Sequence, residues 1–279
     1  MKRVLSIQDI SCLGKCSLTV ALPIISAMGV ETSIVPTAVL STHTKFNHFT
    51  FRDLTNDMEG IKKHWVSEGF KFDAIYTGYL GSKEQVDIVS EYFSTFGNSH
   101  NYIVVDPAMA DNGKMYTGFT KDFAITMSRL CSKADIILPN ISEACFMLNR
   151  DYVGEDAPLP VIKELLTDLI KLGSKYAVIT GVKLPDGKLG FIGYDSSSQE
   201  FFMYGTDEVP IKSHGTGDVF ASTFTGALMN DFSVFDSLKI AADFTCLCIQ
   251  DTYTDPDAVD YAVNFETQIP NLLKMINNV

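Results

Sequence analysis

The sequence is short of positive charge, has no long apolar run and has no cysteine framework, and each shortage removes a class of protein. Lys and Arg number 22 against 34 Asp and Glu, a net charge of −12. Such a surface repels phosphate backbones and anionic lipid, so neither nucleic acid nor membrane is an expected partner. No stretch reaches the roughly 18 apolar residues of a membrane span. The opening run Val4-Leu5-Ser6-Ile7 is too short for a signal-peptide core and stops at Gln8-Asp9, so it reads as a first strand and the cytoplasm as the location. The six cysteines, at positions 12, 16, 131, 145, 246 and 248, lack the spacing of a disulfide scaffold. Neither Cys12/Cys16 nor Cys246/Cys248 forms a C-x2-C repeat with a histidine partner, so buried, inert thiols are expected rather than a zinc site. No G-x-G-x-x-G follows the first strand, which sets aside an NAD-binding oxidoreductase.

What is present is enough apolar material for one large core: 46% of the 279 residues are hydrophobic and 20% charged. Short β-branched runs (3–7, 32–36, 74–77, 102–105, 135–138, 177–180) alternate with segments of helical period (17–28, 58–68, 84–96, 121–131, 143–149, 161–172). That order predicts an α/β fold of βαβ units, a mainly parallel central sheet with helices on both faces, in a single domain over 1–279. The runs 189–194 and 200–204 predict an edge hairpin, and helices are expected over 216–229, 234–250 and 267–277. In this class a ligand lies beyond the carboxyl ends of the strands.

The segments that follow the strands carry the chemistry. Ser213-His-Gly-Thr-Gly-Asp218 places two glycines before a long helix, where backbone N–H groups and the helix dipole favour an anion. Asp218 in the first turn could take a proton from an attacking hydroxyl; a plain glycine turn with a capping Thr216 or Asp218 is the competing reading. Asp106-Pro-Ala-Met-Ala-Asp111-Asn-Gly113 sets two carboxylates where Mg2+ could be held, or forms a polar turn. Asn140 and Glu143 have capping-box spacing, and Glu143 could also reach a metal through water. Thr180 and Lys183 could meet nucleotide phosphates, Ser82 and Gln85 suit another capping box, Tyr79 could wall an aromatic substrate, and Ser41 to Lys45 is a polar loop.

In this order these residues resemble the pyridoxal and pyridoxamine kinases of the ribokinase superfamily. The match runs through Gln8, Ser41-Thr-His-Thr44, Thr77-Gly-Tyr-Leu-Gly-Ser82, Asp106-Pro107, Asp111, Pro139-Asn140 with Glu143, and Gly215-Thr-Gly-Asp218. The resemblance implies a ribokinase-like three-layer sandwich that transfers phosphate from ATP to the 5′-hydroxyl of a vitamin B6 compound. It makes Gly215, Thr216 and Gly217 the anion hole and Asp218 the general base. It also puts Asp106 and Glu143 at Mg2+, and Asp111, Asn140, Thr180 and Lys183 along the nucleotide. Asp9, Thr44 and Tyr79 fall at the substrate ring, with 41–50 and 109–118 as lids. A homodimer and a monovalent cation belong to the same expectation.

Two departures from that pattern matter. Many relatives carry Gln-Ser-His after the first strand where this chain has Gln8-Asp9-Ile10, and a carboxylate there favours a protonated or amino-bearing ligand such as pyridoxamine. The alanines in Asp106-Pro-Ala-Met-Ala-Asp111 replace valine and glycine. A hydroxymethylpyrimidine kinase of thiamine synthesis is therefore the second reading, and a silent B6 carrier a third, disfavoured because Asp218 and its glycines are kept.

Overall fold

A computed structural model describes residues 1–211 and 213–277. Along the chain come β1 (Arg3–Ser11), α1 (Leu18–Ala27), β2 (Glu31–Leu40), β3 (Phe51–Asp53), α2 (Thr55–Ser67), β4 (Ala74–Thr77), α3 (Lys83–Phe96), β5 (Tyr102–Val105), β6 (Ala110–Asp111) and β7 (Lys114–Met115). Then follow α4 (Lys121–Cys131), β8 (Ile136–Ile137), α5 (Ile141–Met147), α6 (Leu159–Ile170), β9 (Tyr176–Lys183), β10 (Leu189–Asp195), β11 (Glu200–Thr206), α7 (Thr216–Met229), α8 (Val234–Thr254) and α9 (Ile269–Asn277). The expected alternation is present. Three elements go beyond it: β3, the β6–β7 hairpin, and the extension of β2 past Pro36 to Leu40, beyond the expected run 32–36.

The chain forms two compact units, Met1–Tyr76 with Glu208–Val279, and Thr77–Asp207. In the first, the strands lie in the order β4-β1-β2-β3. β1 and β2 run parallel, and β3 returns antiparallel on the outer side. The residues of β1 from Val4 to Asp9 are all buried, the near-continuous burial of a strand covered on both faces. α1, α7, α8 and α9 share a core built on Ile24, Val219, Phe244, Phe265 and Leu272.

In the second unit the order is β11-β10-β9-β8-β5. β5, β8 and β9 are parallel, and β10 and β11 are antiparallel, which realises the edge hairpin predicted around Asp195 to Gln199. Gly181 (φ +69°) is the extra residue where the pairing of β9 with β10 slips, so Phe191 faces Thr180 while Gly190 faces Val182. The bulge bends β9 at Gly181, and the pairing with β10 resumes at Val182 and Lys183.

Candidate active site

The first unit carries the glycine-rich loop. Gly215 sits in left-handed conformation (φ +79°) as the residue before α7. A Cβ added there would lie 2.6 Å from the Lys15 carbonyl oxygen and 3.7 Å from Cys16 Sγ. Only glycine therefore lets the helix start so close to the turn that follows β1. Thr216, Gly217 and Asp218 form the first turn, whose N–H groups have no acceptor within the helix and point along the positive end of its dipole. Asp218 is half-buried. The residue at the cap position is Gly215 itself, which has no side chain to close this end.

Asp9 is buried and accepts a hydrogen bond from Ser11 Oγ at 3.0 Å. Burial raises its pKa, opposed by hydrogen bonds from Ser17 and Ser11. Thr44 lies half-buried in the 41–50 loop. That loop is closed at its neck by Ser41 and Thr50, through Ser41 N–H to the Thr50 carbonyl at 3.1 Å and Thr50 N–H to Ser41 Oγ at 2.9 Å. It is also tied down at His43 and Lys45. His43 Nδ1 accepts the Lys45 N–H at 3.2 Å, so Nε2 carries the proton and donates to the Tyr261 carbonyl at 3.1 Å. Lys45 Nζ donates to the Asp260 carbonyl at 2.7 Å. The His43 ring packs with those of Phe46, His214 and Tyr261.

The second unit carries the carboxylates. Asn140 caps α5, accepting the Glu143 N–H at 3.0 Å, while Glu143 Oε2 accepts the Asn140 N–H at 2.9 Å, which is the reciprocal pair the spacing predicts. Glu143 Oε1 then takes N–H groups of Met109 and Ala110, at 2.9 and 3.4 Å. One buried side chain thus fixes both the start of α5 and the loop after β5. Burial pushes the Glu143 pKa up to about 7, against the pull of those three N–H donors. Asp106, at the end of β5, is raised well above the usual carboxylate range by burial and by the neighbouring Glu143 charge. Two desolvated carboxylates, one of them raised by the charge of the other, are a donor set suited to a hard divalent cation. Mg2+ usually takes one or two carboxylates and completes its shell with phosphate and water, so this pair fits it. Among the described residues no group of three or more His, Cys, Asp or Glu is disposed to hold a metal.

Asp111 is exposed at the tip of β6 and accepts from Asn112 N–H at 2.9 Å. Asn112 and Gly113, both with positive φ (+50° and +71°), make the two-residue turn between β6 and β7. Within the segment 109–118 expected as a lid, residues 110–115 form a short hairpin. The Asn-Gly pair that announces such a turn was in the sequence. Gly113 N–H donates to Ser142 Oγ at 2.8 Å, and a Cβ on Gly113 would meet the Tyr152 ring at 2.5 Å. Asn140 lies beside Thr180, which donates its N–H to the Pro139 carbonyl at 3.0 Å. Lys183 pairs with Asp156 at 3.2 Å. Tyr79 stacks on Phe119, with ring centroids 5.4 Å apart. Ser82 caps α3, but Gln85 reaches back to the Gly81 N–H rather than to Ser82.

The first unit thus gathers Asp9, Gly215, Thr216, Gly217 and Asp218 near the end of β1 and the start of α7. The second gathers Asp106, Asn140, Glu143 and Thr180. Sequence reasoning placed Gln8 and Thr42 in matching motifs but gave them no role, and Gln8 Oε1 and Thr42 Oγ1 are buried with no hydrogen-bond partner among the described residues. It also gave Cys16 no chemistry, although Cys16 Sγ packs against Gly215.

Residues 21–260 match the phosphomethylpyrimidine kinase family. The chain belongs to that family. A candidate phosphomethylpyrimidine kinase from Bacteroides thetaiotaomicron has the same fold, with a TM-score of 0.92 and 36% identity over 97% of this chain and 93% of that one. An orthorhombic crystal form of it contains pyridoxal. Pyridoxal kinase from Lactobacillus plantarum aligns with a TM-score of 0.90 and 28% identity over 100% of this chain and 99% of that one. A thiamine biosynthetic bifunctional enzyme from Arabidopsis thaliana is 27% identical over 80% of this chain, which spans 42% of that enzyme's length. Like its relatives, this phosphomethylpyrimidine kinase family member has an α/β fold with a mostly parallel central sheet. Membership makes it a kinase whose acceptor is an alcohol, with ATP as the implied donor. No helix among the described residues is long and apolar enough to cross a membrane.

Proposed function

We propose that this kinase phosphorylates the 5′-hydroxyl of a vitamin B6 compound (pyridoxamine, pyridoxal or pyridoxine) at the expense of ATP, serving B6 salvage to pyridoxal 5′-phosphate. The observation that carries the reading is the pyridoxal in the 36% identical Bacteroides structure. Asp218 is the general base: it takes the proton of the attacking hydroxyl as the terminal phosphate is transferred in line. The N–H groups of Gly215, Thr216 and Gly217 stabilise the charge on the transferred group, because fixed dipoles at a helix start need no reorganisation during the step. Asp9, Thr44 and Tyr79 receive the ring, and the buried Asp9 carboxylate favours an amino or protonated partner.

Asp111, Asn140, Thr180 and Lys183 receive the nucleotide, and Asp106 with Glu143 would hold Mg2+, directly or through water. The ion would supply neutralising charge on the phosphates when bound. Segments 41–50 and 109–118 serve as lids over a single kinase domain, and the enzyme works as a cytoplasmic homodimer, with a monovalent cation as an added activator. The similarity to the Arabidopsis thiamine biosynthetic enzyme favours a second reading, hydroxymethylpyrimidine as acceptor.

The test is substrate-dependent ADP release with Mg-ATP and pyridoxal, pyridoxamine, pyridoxine or hydroxymethylpyrimidine, on wild type and Asp218→Ala. Release with a B6 compound that drops in the variant by on the order of 10²–10⁴-fold supports the proposal. Release with the pyrimidine alone moves the acceptor to the second reading, and full kcat in Asp218→Ala removes the assigned base.

A further inference from the structure

Tyr79 belongs to a row of three aromatic rings in the second unit. Its ring stacks on that of Phe119, with centroids 5.4 Å apart and planes 28° from parallel, and Phe119 stacks in turn on Phe123, at 4.0 Å and 3°. Phe123 is buried in the first turn of α4, which fixes the row at one end, while Phe119 and Tyr79 are half-buried. Tyr79 lies just before the start of α3 and Phe119 just before the start of α4, and Lys83 pairs with Asp122 across those two starts at 3.6 Å. Helix starts follow the carboxyl ends of the strands, the side on which ligands lie in this fold class. The backbone of Phe119 is pinned as well. Its N–H donates to the Tyr116 carbonyl at 3.0 Å, the Tyr116 N–H to the Met109 carbonyl at 2.8 Å, and the Met109 N–H to Glu143 Oε1 at 2.9 Å.

We propose that Phe119 is a positioning residue for the acceptor: it braces one face of Tyr79 so that the other is presented flat to the acceptor's aromatic ring, and it ties that wall to the β6–β7 hairpin, which carries Asp111. The inference rests on the reading of Tyr79 at the acceptor ring and Asp111 at the nucleotide. A tyrosine on the glycine-flanked turn Gly78-Tyr-Leu-Gly81 has side-chain freedom that a ligand must remove on binding, and a ring already stacked against it removes that freedom beforehand. Stacking reads a flat heteroaromatic face rather than its substituents, so the brace serves a pyridine and a pyrimidine alike. The tie gives the two ligands a shared element. A hairpin held by Mg-ATP holds Phe119, and Phe119 holds Tyr79, so each ligand binds more tightly in the presence of the other.

Pyridoxal and hydroxymethylpyrimidine serve in turn as acceptors in the test. Phe119→Ala should raise KM for whichever acceptor is turned over by about three- to tenfold, the range of one aromatic pair, with kcat nearly unchanged. Phe119→Tyr, which keeps the ring, should restore the wild-type KM, and Phe119→Leu, which fills the space without a ring, should not. The tie is read by calorimetric titration of the same acceptor with and without Mg2+ and the nonhydrolysable analogue AMP-PNP. Wild type should bind the acceptor at least about fivefold more tightly with the analogue present, and in Phe119→Leu the ratio should fall toward one. A residue that only packs would lower the unfolding midpoint and leave that ratio alone. Should Phe119→Ala not fold, the Leu and Tyr variants carry the comparison.

A wild-type acceptor KM in Phe119→Leu, or an affinity ratio that is the same in wild type and Phe119→Leu, would overturn the positioning role. Tyr79→Leu separates that failure from failure of the reading beneath it. A raised acceptor KM in Tyr79→Leu beside a wild-type KM in Phe119→Leu keeps Tyr79 at the ring and removes Phe119 alone. An unchanged acceptor KM in Tyr79→Leu, or no turnover of either acceptor, removes both.

Discussion

Glu143 carries two candidate roles at once, a helix cap and a proposed metal contact. Its spacing from Asn140 announced a cap, and its place after a strand announced a metal contact. In the fold both carboxylate oxygens accept backbone N–H groups, one oxygen at Asn140 and the other at Met109 and Ala110. A glutamine offers only one oxygen, so Glu143→Gln must orphan one side. We expect it to lose roughly 1–3 kcal/mol of stability in metal-free urea unfolding. It should also raise the Mg2+ concentration needed for half-maximal rate, and an unchanged Mg2+ requirement would leave Glu143 with its structural role alone. His43 is the opposite case, a motif residue whose part is legible only from its neighbours. Burial lowers its pKa from 6.5, so the folded protein binds its proton less readily than the unfolded chain does. Its contribution is therefore fully present above pH 6.5 and is lost as the pH falls below that value. The stability gap between wild type and His43→Gln, followed by urea unfolding from pH 8 down to about pH 5.5, should narrow in the acid range. A constant gap would mean that His43 is not held neutral.

At the scale of elements, two short pieces of backbone decide where the functional side chains go. The β6–β7 hairpin depends on the Asn112-Gly113 turn lying flat on Tyr152 and Ser142. Gly113→Ala puts a methyl into that ring at a φ that alanine resists. The variant should lose about 1–3 kcal/mol in thermal or urea unfolding and raise KM for Mg-ATP more than KM for the acceptor. A silent substitution would show that the hairpin yields freely. The start of α7 depends in the same way on Gly215 meeting the β1–α1 turn. The helix, its glycines and the base candidate were legible in the sequence, because those signals lie within eight consecutive residues. It could not give the partner, because Lys15 and Cys16 are about two hundred positions away and nothing local marks them. β3 was missed for a related reason. Three exposed residues carry no periodic pattern, and they form a strand only because β2 offers them an edge.

Over the whole molecule the charge of −12 bears on how an anionic nucleotide reaches the protein. The attraction must come from helix-start dipoles and a bound cation close to the phosphates, because the general surface repels. Raising ionic strength from about 0.01 to about 0.15 M with tetramethylammonium chloride shortens the Debye length from about 30 to about 8 Å. kcat/KM for Mg-ATP should then hold level or rise, and a steep fall would reveal an attractive long-range field that the composition does not contain. The sequence by itself determined the fold class, the order of the main strands and helices, and the family, because hydrophobic period and short motifs are local and survive in one dimension. Only the tertiary structure decided that Glu143 spends its oxygens on three N–H groups, that Asp106 is raised by Glu143, and that Cys16 lies under Gly215. Each of those depends on which distant side chains share a desolvated space, and desolvation is a property of packing that no single segment carries.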